Sequence, residues 1–328
     1  MNTSLFQRKS LIFFISVFLF LGVFVSMAFA TINNLILTDP LGGEEWRGTQ
    51  NITWTHTDNG SSGPISILLS SDGGANYNTL VTGVDVTLDT YFWDTSGTTD
   101  GSTYKIKIND LSSGIAYESD TNFIVDNTDP ITGYAIAPLT PNGENGWYVG
   151  TAPVVTLTPT DNLAGIYKTY YRFDGGPYTE YSAPFSAPEG EHTLEYYSED
   201  NAVDSTGIRN VEVTHSQVIK TDVTIPTGAM TYSKNPVKLG DVLTITADFS
   251  EPLQDSPVVN LAISGANTSG PGAMTKVTTT QYTYVYTVGA GDGTATVALS
   301  IGKDVAGNSI TASPTTGGTF IVDNIAPT

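Results

Sequence analysis

The pentapeptide Phe-Ile-Val-Asp-Asn occurs at Phe123–Asn127 and again at Phe320–Asn324, 197 residues apart. Near the midpoint, VIKTDVTIP (Val218–Pro226) has the same order of parts: an alternating apolar run, a polar turn containing Asp, then a proline. Three strand endings of one design at nearly equal intervals predict a string of small modules rather than one large core. The interval suits two-sheet β-sandwiches, which take roughly 100 residues each. The implied organisation is a leader over 1–30 and modules over 31–127, 128–222 and 223–328. Proline just past each ending fixes its own φ and biases its predecessor to extended geometry, so each junction reads as a short, stiff spacer.

Within the modules the apolar period is two, the signature of strands with one buried face. Leu243, Ile245, Ala247 and Phe249 alternate with Thr244, Thr246, Asp248 and Ser250. Tyr104, Ile106 and Ile108 form a second stripe, Tyr282, Tyr284, Tyr286 and Val288 a third, and Ala295, Val297, Leu299 and Ile301 a fourth. Between stripes stand turn clusters such as Ser71-Asp72-Gly73-Gly74, Asp174-Gly175-Gly176 and Gly291-Asp292-Gly293. Asp-Gly and Gly-Gly supply the positive φ that tight hairpins require. No amphipathic helix is predicted, so the expected fold is all-β, three tandem sandwiches.

The N-terminus sets the expected compartment. Arg8 and Lys9 precede an uncharged apolar run, Leu11–Val25, and Ala28-Phe29-Ala30 is a small-x-small cleavage motif. That layout predicts a secretory signal peptide cleaved after Ala30 and an exported, extracellular or cell-surface product with no membrane span after cleavage. Loss of Arg8 and Lys9 moves the formal charge from -20 to -22. Such an acidic chain repels a phosphate backbone, so nucleic acid is not an expected partner. Cysteine is absent, which removes disulfides and thiolate metal sites, and each module must be held by its apolar core.

With these residues in view, family resemblances follow. The third segment, with TYSKNPVKLGDVLTITADFSEPL (Thr231–Leu253), YTYVYTVGAGDGTATVALS (Tyr282–Ser300) and DVAGN (Asp304–Asn308), resembles a bacterial immunoglobulin-like repeat of large surface proteins. The second, with NGWYVG (Asn145–Gly150), TPTDNLAGI (Thr158–Ile166), YYRFDGGPYTEY (Tyr170–Tyr181) and EGEHTLEYYSEDNAV (Glu189–Val203), is similar to immunoglobulin-like modules that accompany secreted enzymes and outer-surface proteins. It departs from their Asp-Asn-Ala-Gly-Asn ending, carrying Val203-Asp204 there. The first, with PLGGEEWRGTQNITWT (Pro40–Thr55), ISILLSSDGGANYNTL (Ile65–Leu80) and YKIKIND (Tyr104–Asp110), resembles a fibronectin-like domain of cell-wall-associated proteins. These resemblances imply binding or spacing modules and no catalysis.

The residues agree with that implication. His56, His192 and His215 fall in different modules or strands, with no H-E-x-x-H pair, no nucleophile elbow and no phosphate-binding glycine loop. Acid pairs such as Glu44 with Glu45 or Glu189 with Glu191 are adjacent or alternate on loops, unlike the two acids that flank a glycosidic bond across a cleft. Ser70 to Tyr77 matches S-x-D-x-G-x-x-Y, the short Asp-box hairpin of sialidase-like propellers; one copy makes a hairpin and no propeller.

Two features carry candidate binding chemistry. Asp126, Asn127, Asp129, Asp161, Asp200, Asp204, Asp304 and Asn308 place hard oxygen ligands in loops at module ends. Calcium takes six to eight oxygens, so two apposed module ends could supply a shell that one loop cannot; the ordinary alternative is that these side chains cap turns. The second feature is a crowd of rings, with Trp147, Tyr148, Tyr170 and Tyr178 as a glycan platform, against the alternative of cross-strand packing. The expected function is a noncatalytic exported stalk or adhesion array, a segment of a longer chain, with an extracellular glycan or protein ligand, monomeric modules and no required cofactor, calcium being the candidate ion. A second reading is a carbohydrate-binding accessory region of a secreted polysaccharide hydrolase.

Overall fold

A computed structural model describes residues 32–58 and 63–326. The leader over 1–30 and its cleavage site lie outside the described residues. No described helix is long and apolar enough to cross a membrane, and the one helical element among them is a 3-10 turn at Val86–Leu88. Everything else is strand and connection, because the period-two stripes offer a single buried face per strand and Gly- and Pro-rich links leave no room for helical runs.

Three apolar clusters form. The first gathers Trp54, Ile65, Ile106, Ile108, Phe123 and Val125, among others, between a sheet ordered Ile32–Asp39, Thr49–Asp58, Thr90–Asp94 and a facing sheet ordered Asn78–Asp85, Pro64–Ser70, Gly101–Asp110, Phe123–Val125. Trp46, Trp93 and Phe123 meet in edge-on and tilted contacts 5.0 to 6.4 Å apart. The second cluster, around Tyr148, Val155, Leu157, Leu194, Tyr196 and Ile219, lies between Ile131–Ala137, Val154–Thr160 and Phe185–Ser186 on one side and Ile166–Phe173, Gly190–Val203 and His215–Asp222 on the other. The third packs Leu243, Ile245, Ala247, Phe249, Tyr282, Val297, Leu299 and Phe320 between two four-stranded sheets. Each is a sandwich core with inward side chains from both sheets.

The stripes face inward as expected, with one exception. Ile301 is 56 % exposed, since its φ of 57° turns the chain off the sheet after Ser300. At the predicted Asp-box, Pro64–Ser70 pairs with Asn78–Asp85 as a hairpin. Ser70 Oγ donates to Asp72 Oδ1 at 2.7 Å and accepts from Gly74 N, while Asp72 also accepts from Asn76.

The first two sandwiches are fused. Glu45–Trp46 pairs in parallel with Phe123–Val125 on one edge, and Trp46 pairs in parallel with Val203 on the other, so one sheet continues through both. Gln50 Nε2 donates to Val203 O at 2.5 Å, and Arg47 donates to Arg209 O at 3.1 Å. No strand pairing joins the second sandwich to the third among the described residues; Glu144 N donates to Ala306 O at 2.7 Å, and the Glu144 carboxylate meets Lys303 at 2.9 Å and Gln254 at 2.8 Å.

Candidate metal centres at the two junctions

At each junction the chain brings three acids together in the same way. One comes from the end of a module's last strand: Asp126, which follows Phe123–Val125, and Asp222, which closes His215–Asp222. One sits in the loop after the strand that pairs with the next module's first strand: Asp161 after Val154–Thr160, and Glu251 after Val242–Phe249. The third belongs to a later strand or its exit: Asp200 within Gly190–Val203, and Asp304 after Gly293–Ser300. In each triad, one carboxylate oxygen from every member lies within 4.8 Å of the other two.

A shared asparagine completes the likeness. Asn210 Nδ2 donates to the main-chain carbonyl of Asp126 at 3.0 Å, and Asn308 Nδ2 donates to that of Asp222, also at 3.0 Å. Both asparagines are buried, so these bonds tie each linker aspartate to the next module in a setting where water cannot substitute.

In the first triad Asp126 and Asp200 are wholly buried. Asp126 accepts from Ala164 N at 2.8 Å and Thr128 N at 3.1 Å; Asp200 accepts from Ala202 N at 2.9 Å and Asn210 Nδ2 at 2.7 Å. Asp161 uses only Oδ2, for Leu163 N and Gly165 N, and its buried Oδ1 has no donor; neither has Asn210 Oδ1. Burial, then repulsion from Asp126 and Asp161, pushes Asp200 up to about 7, and burial likewise raises Asp126.

The second triad repeats the pattern with more exposure. Asp304 Oδ1 accepts from Gly307 N and Asn308 N, but Oδ2 has no donor although the residue is 1 % exposed. Glu251 Oε1 is also a buried acceptor without a donor. Burial first, then Asp222, Asp304 and Glu189, pushes Glu251 up to about 7, and Asp222 is raised by burial and by Asp304.

Buried acceptors without donors are rare and costly, and here they converge with like charges. A hard divalent cation resolves both defects by accepting the idle lone pairs and neutralising the repulsion, and an all-oxygen donor set suits calcium. The chain's part is positional: main-chain donors hold Asp126, Asp161, Asp200, Asp222 and Asp304, and the oxygens left without a donor are Asp161 Oδ1, Asp304 Oδ2 and Glu251 Oε1.

The sequence-predicted ligands divide accordingly. Asp126, Asp161, Asp200 and Asp304 enter the triads. Asn127 instead accepts from Gly48 N and Thr95 Oγ1 within the first module. Asp204 organises its own turn through Thr206 and Ile208, which is ordinary aspartate turn chemistry. Asp129 is exposed and lines a different hollow with Glu212 and His215. Asn308 acts as a donor to the linker carbonyl. Asp222 and Glu251 went unpredicted. Asp222 had a signal, since it occupies in VIKTD the place of Asp126 in FIVDN; Glu251, in FSEP, had only its place after the second strand.

The four candidate platform rings do not form one surface. Tyr148 is buried in the second core. Tyr170 and Tyr178 pack on Tyr197 at 5.3 and 4.9 Å, and the Arg172 guanidinium covers Tyr178 at 4.3 Å. Trp147 stands apart, lining a cavity at the second junction. The histidines are also separate, His56 beside Asp89, His192 beside Asp174 and His215 beside Glu212.

No family model matches the chain, and no curated protein does. Similar solved structures include the Escherichia coli adhesin FdeC, 14% identical with a TM-score of 0.33, covering 90% of this chain and 99% of that one. Another is the three N-terminal domains of the highly immunogenic outer capsid protein of bacteriophage RB49, 13% identical, TM-score 0.27, covering 90% and 99%. The chicken CNTN1 FN1-FN3 domains are 9% identical with a TM-score of 0.24, covering 85% of this chain and 94% of theirs.

Proposed function

We propose that this chain is a noncatalytic, exported surface segment, a stalk or adhesion array of β-sandwiches whose joints are clamped by calcium. The observation that carries the reading is the duplicate junction: strand-end acid, loop acid, later acid and a carbonyl-holding asparagine, built once from Asp126, Asp161, Asp200 and Asn210 and again from Asp222, Glu251, Asp304 and Asn308. Turn formation explains a lone aspartate; it does not bring three acids from two modules together twice.

Mechanically, a clamped joint limits how far neighbours swing, and a stiff rod holds a distal face away from the cell that carries it. Export rests on the N-terminal layout, and the acidic, cysteine-free composition suits a soluble extracellular array.

Calorimetry on residues 31–328 tests the reading. Two calcium ions are expected to bind, Asp200→Asn removing one and Asp304→Asn the other. At free calcium a hundredfold above Kd, each ion adds about 2.7 kcal/mol to the native state. Absence of measurable calcium binding, or a melting temperature indifferent to chelator, overturns it.

A further inference from the structure

The two triads differ in what they face. Asp126 and Asp200 are sealed, whereas Asp222 and Glu251 are half-buried and form part of the wall of a cavity of about 260 Å³. Trp147, Glu189, Thr221 and Ser250 line the same cavity. An ion held by Asp222, Glu251 and Asp304 therefore keeps part of its coordination shell open to that space, because three carboxylates leave a calcium shell of six to eight oxygens unfilled.

The remaining wall narrows what the space would accept. Trp147 supplies an indole, with Lys220 Nζ 5.9 Å from the ring centroid. Thr221 is 1 % exposed and its Oγ1 is buried without a hydrogen-bond partner, so the accessible hydroxyl on this wall is that of Ser250. The Glu189 carboxylate is held in place by Val223 N at 3.1 Å and Thr224 Oγ1 at 3.0 Å. An aromatic plane beside hydroxyls, carboxylate acceptors and an open cation shell complements a ring that has one apolar face and a rim of hydroxyls. Four acids, Glu189, Asp222, Glu251 and Asp304, outweigh one divalent ion, so a carboxylated or phosphorylated ligand is repelled.

We propose that this cavity binds one sugar residue of a neutral glycan, with two adjacent hydroxyls ligating the ion of the second junction and the ring's apolar face against Trp147. The site rests on the cation-clamp reading above and adds to it a ligand class. It also makes the joint itself the adhesive element, so that glycan capture and joint stiffness share one ion.

Saturation-transfer NMR with methyl mannoside, methyl galactoside and cellobiose, run on residues 31–328 after calorimetry has counted the ions, tests the proposal. The expected result is transfer from at least one of these sugars in calcium and none in chelator, with sialic acid giving none. Trp147→Ala is expected to weaken sugar binding at least tenfold while both ions still bind; Trp147→Phe, which keeps a ring, restores most of it. Asp304→Asn is expected to abolish sugar binding together with the second ion. Two bound ions with no transfer from any of the three sugars overturns the proposal and leaves the clamp standing. Sugar binding that survives chelator or Trp147→Ala overturns it as well, and a protein that binds no calcium overturns both readings.

Discussion

Asn210 and Asp126 meet across the first junction, the Asn210 side-chain amide donating to the Asp126 main-chain carbonyl at 3.0 Å while also reaching Asp200 Oδ2 at 2.7 Å. One buried side chain thus holds both the linker backbone and a triad carboxylate. Replacing Asn210 with Ala leaves a buried carbonyl and a buried carboxylate oxygen short of a donor, and such losses cost about 1–3 kcal/mol each. The expected outcome is a lower denaturation midpoint together with weaker calcium binding at one site. Unchanged values for both would show that the asparagine only fills space.

Trp46 is the staple between the first two sandwiches. It is 5 % exposed, pairs with Val125 on one side and Val203 on the other, and packs its ring 5.0 Å from Phe123. Trp46→Ala is expected to destabilise the first module by about 3–5 kcal/mol, the usual cost of emptying a buried Trp site. Because the residue also carries the sheet across the junction, the first two modules should then melt in separate calorimetric transitions. A single, merely shifted transition would contradict that coupling.

His192 and Asp174 form the ion pair that carries a pH dependence. His192 Nδ1 lies 2.5 Å from Asp174, which with the Glu189 carbonyl raises the histidine above its ordinary value and in turn lowers the aspartate. A raised histidine contributes stability that is complete below about 6.5 and is lost as pH rises through the folded value; a lowered aspartate contributes above about 4 and is lost as pH falls through its folded value. The pair therefore helps most in the mildly acidic window between. An NMR titration should place the His192 midpoint above 6.5, and Asp174→Asn should bring it down. A midpoint unmoved by that change would remove Asp174 as the cause.

Much of this was legible in the chain. The stripe Leu243, Ile245, Ala247 and Phe249 is buried as its alternation requires, because strand burial depends on a local period that sequence records directly. All three acids of the first triad were legible as loop and strand-end carboxylates, but of the second only Asp304 was, although VIKTD repeats the strand-end aspartate at Asp222. Glu251 was not, because its role depends on which loop faces the neighbouring module, a tertiary fact that no local pattern carries. The aromatic pairs show the same boundary: alternation requires that one of Trp147 and Tyr148 point inward, but only packing decides that Tyr148 is the buried one and that Arg172 covers Tyr178. The fusion through Trp46 was equally invisible, being two-residue pairings between segments far apart in sequence.

The two joints should respond unequally to chelator. The first has a continuous sheet and the Gln50 and Arg47 bonds beneath its triad. The second is spanned by Glu144, through its main-chain bond to Ala306 and its exposed contacts with Lys303 and Gln254, and by Asn145 and Asn308 bonding to main-chain carbonyls. Exposed ion pairs are worth only about 0–1 kcal/mol, so the second joint depends more heavily on its ion. Spin labels placed on exposed sites of the second and third modules should give a narrow distance distribution in calcium and a broad one in chelator, whereas labels on the first and second modules should change little. Glu144→Ala should broaden the second distribution in chelator but leave it narrow in calcium. Equal broadening at both joints would show that the continuous sheet adds no stiffness beyond that of the ions.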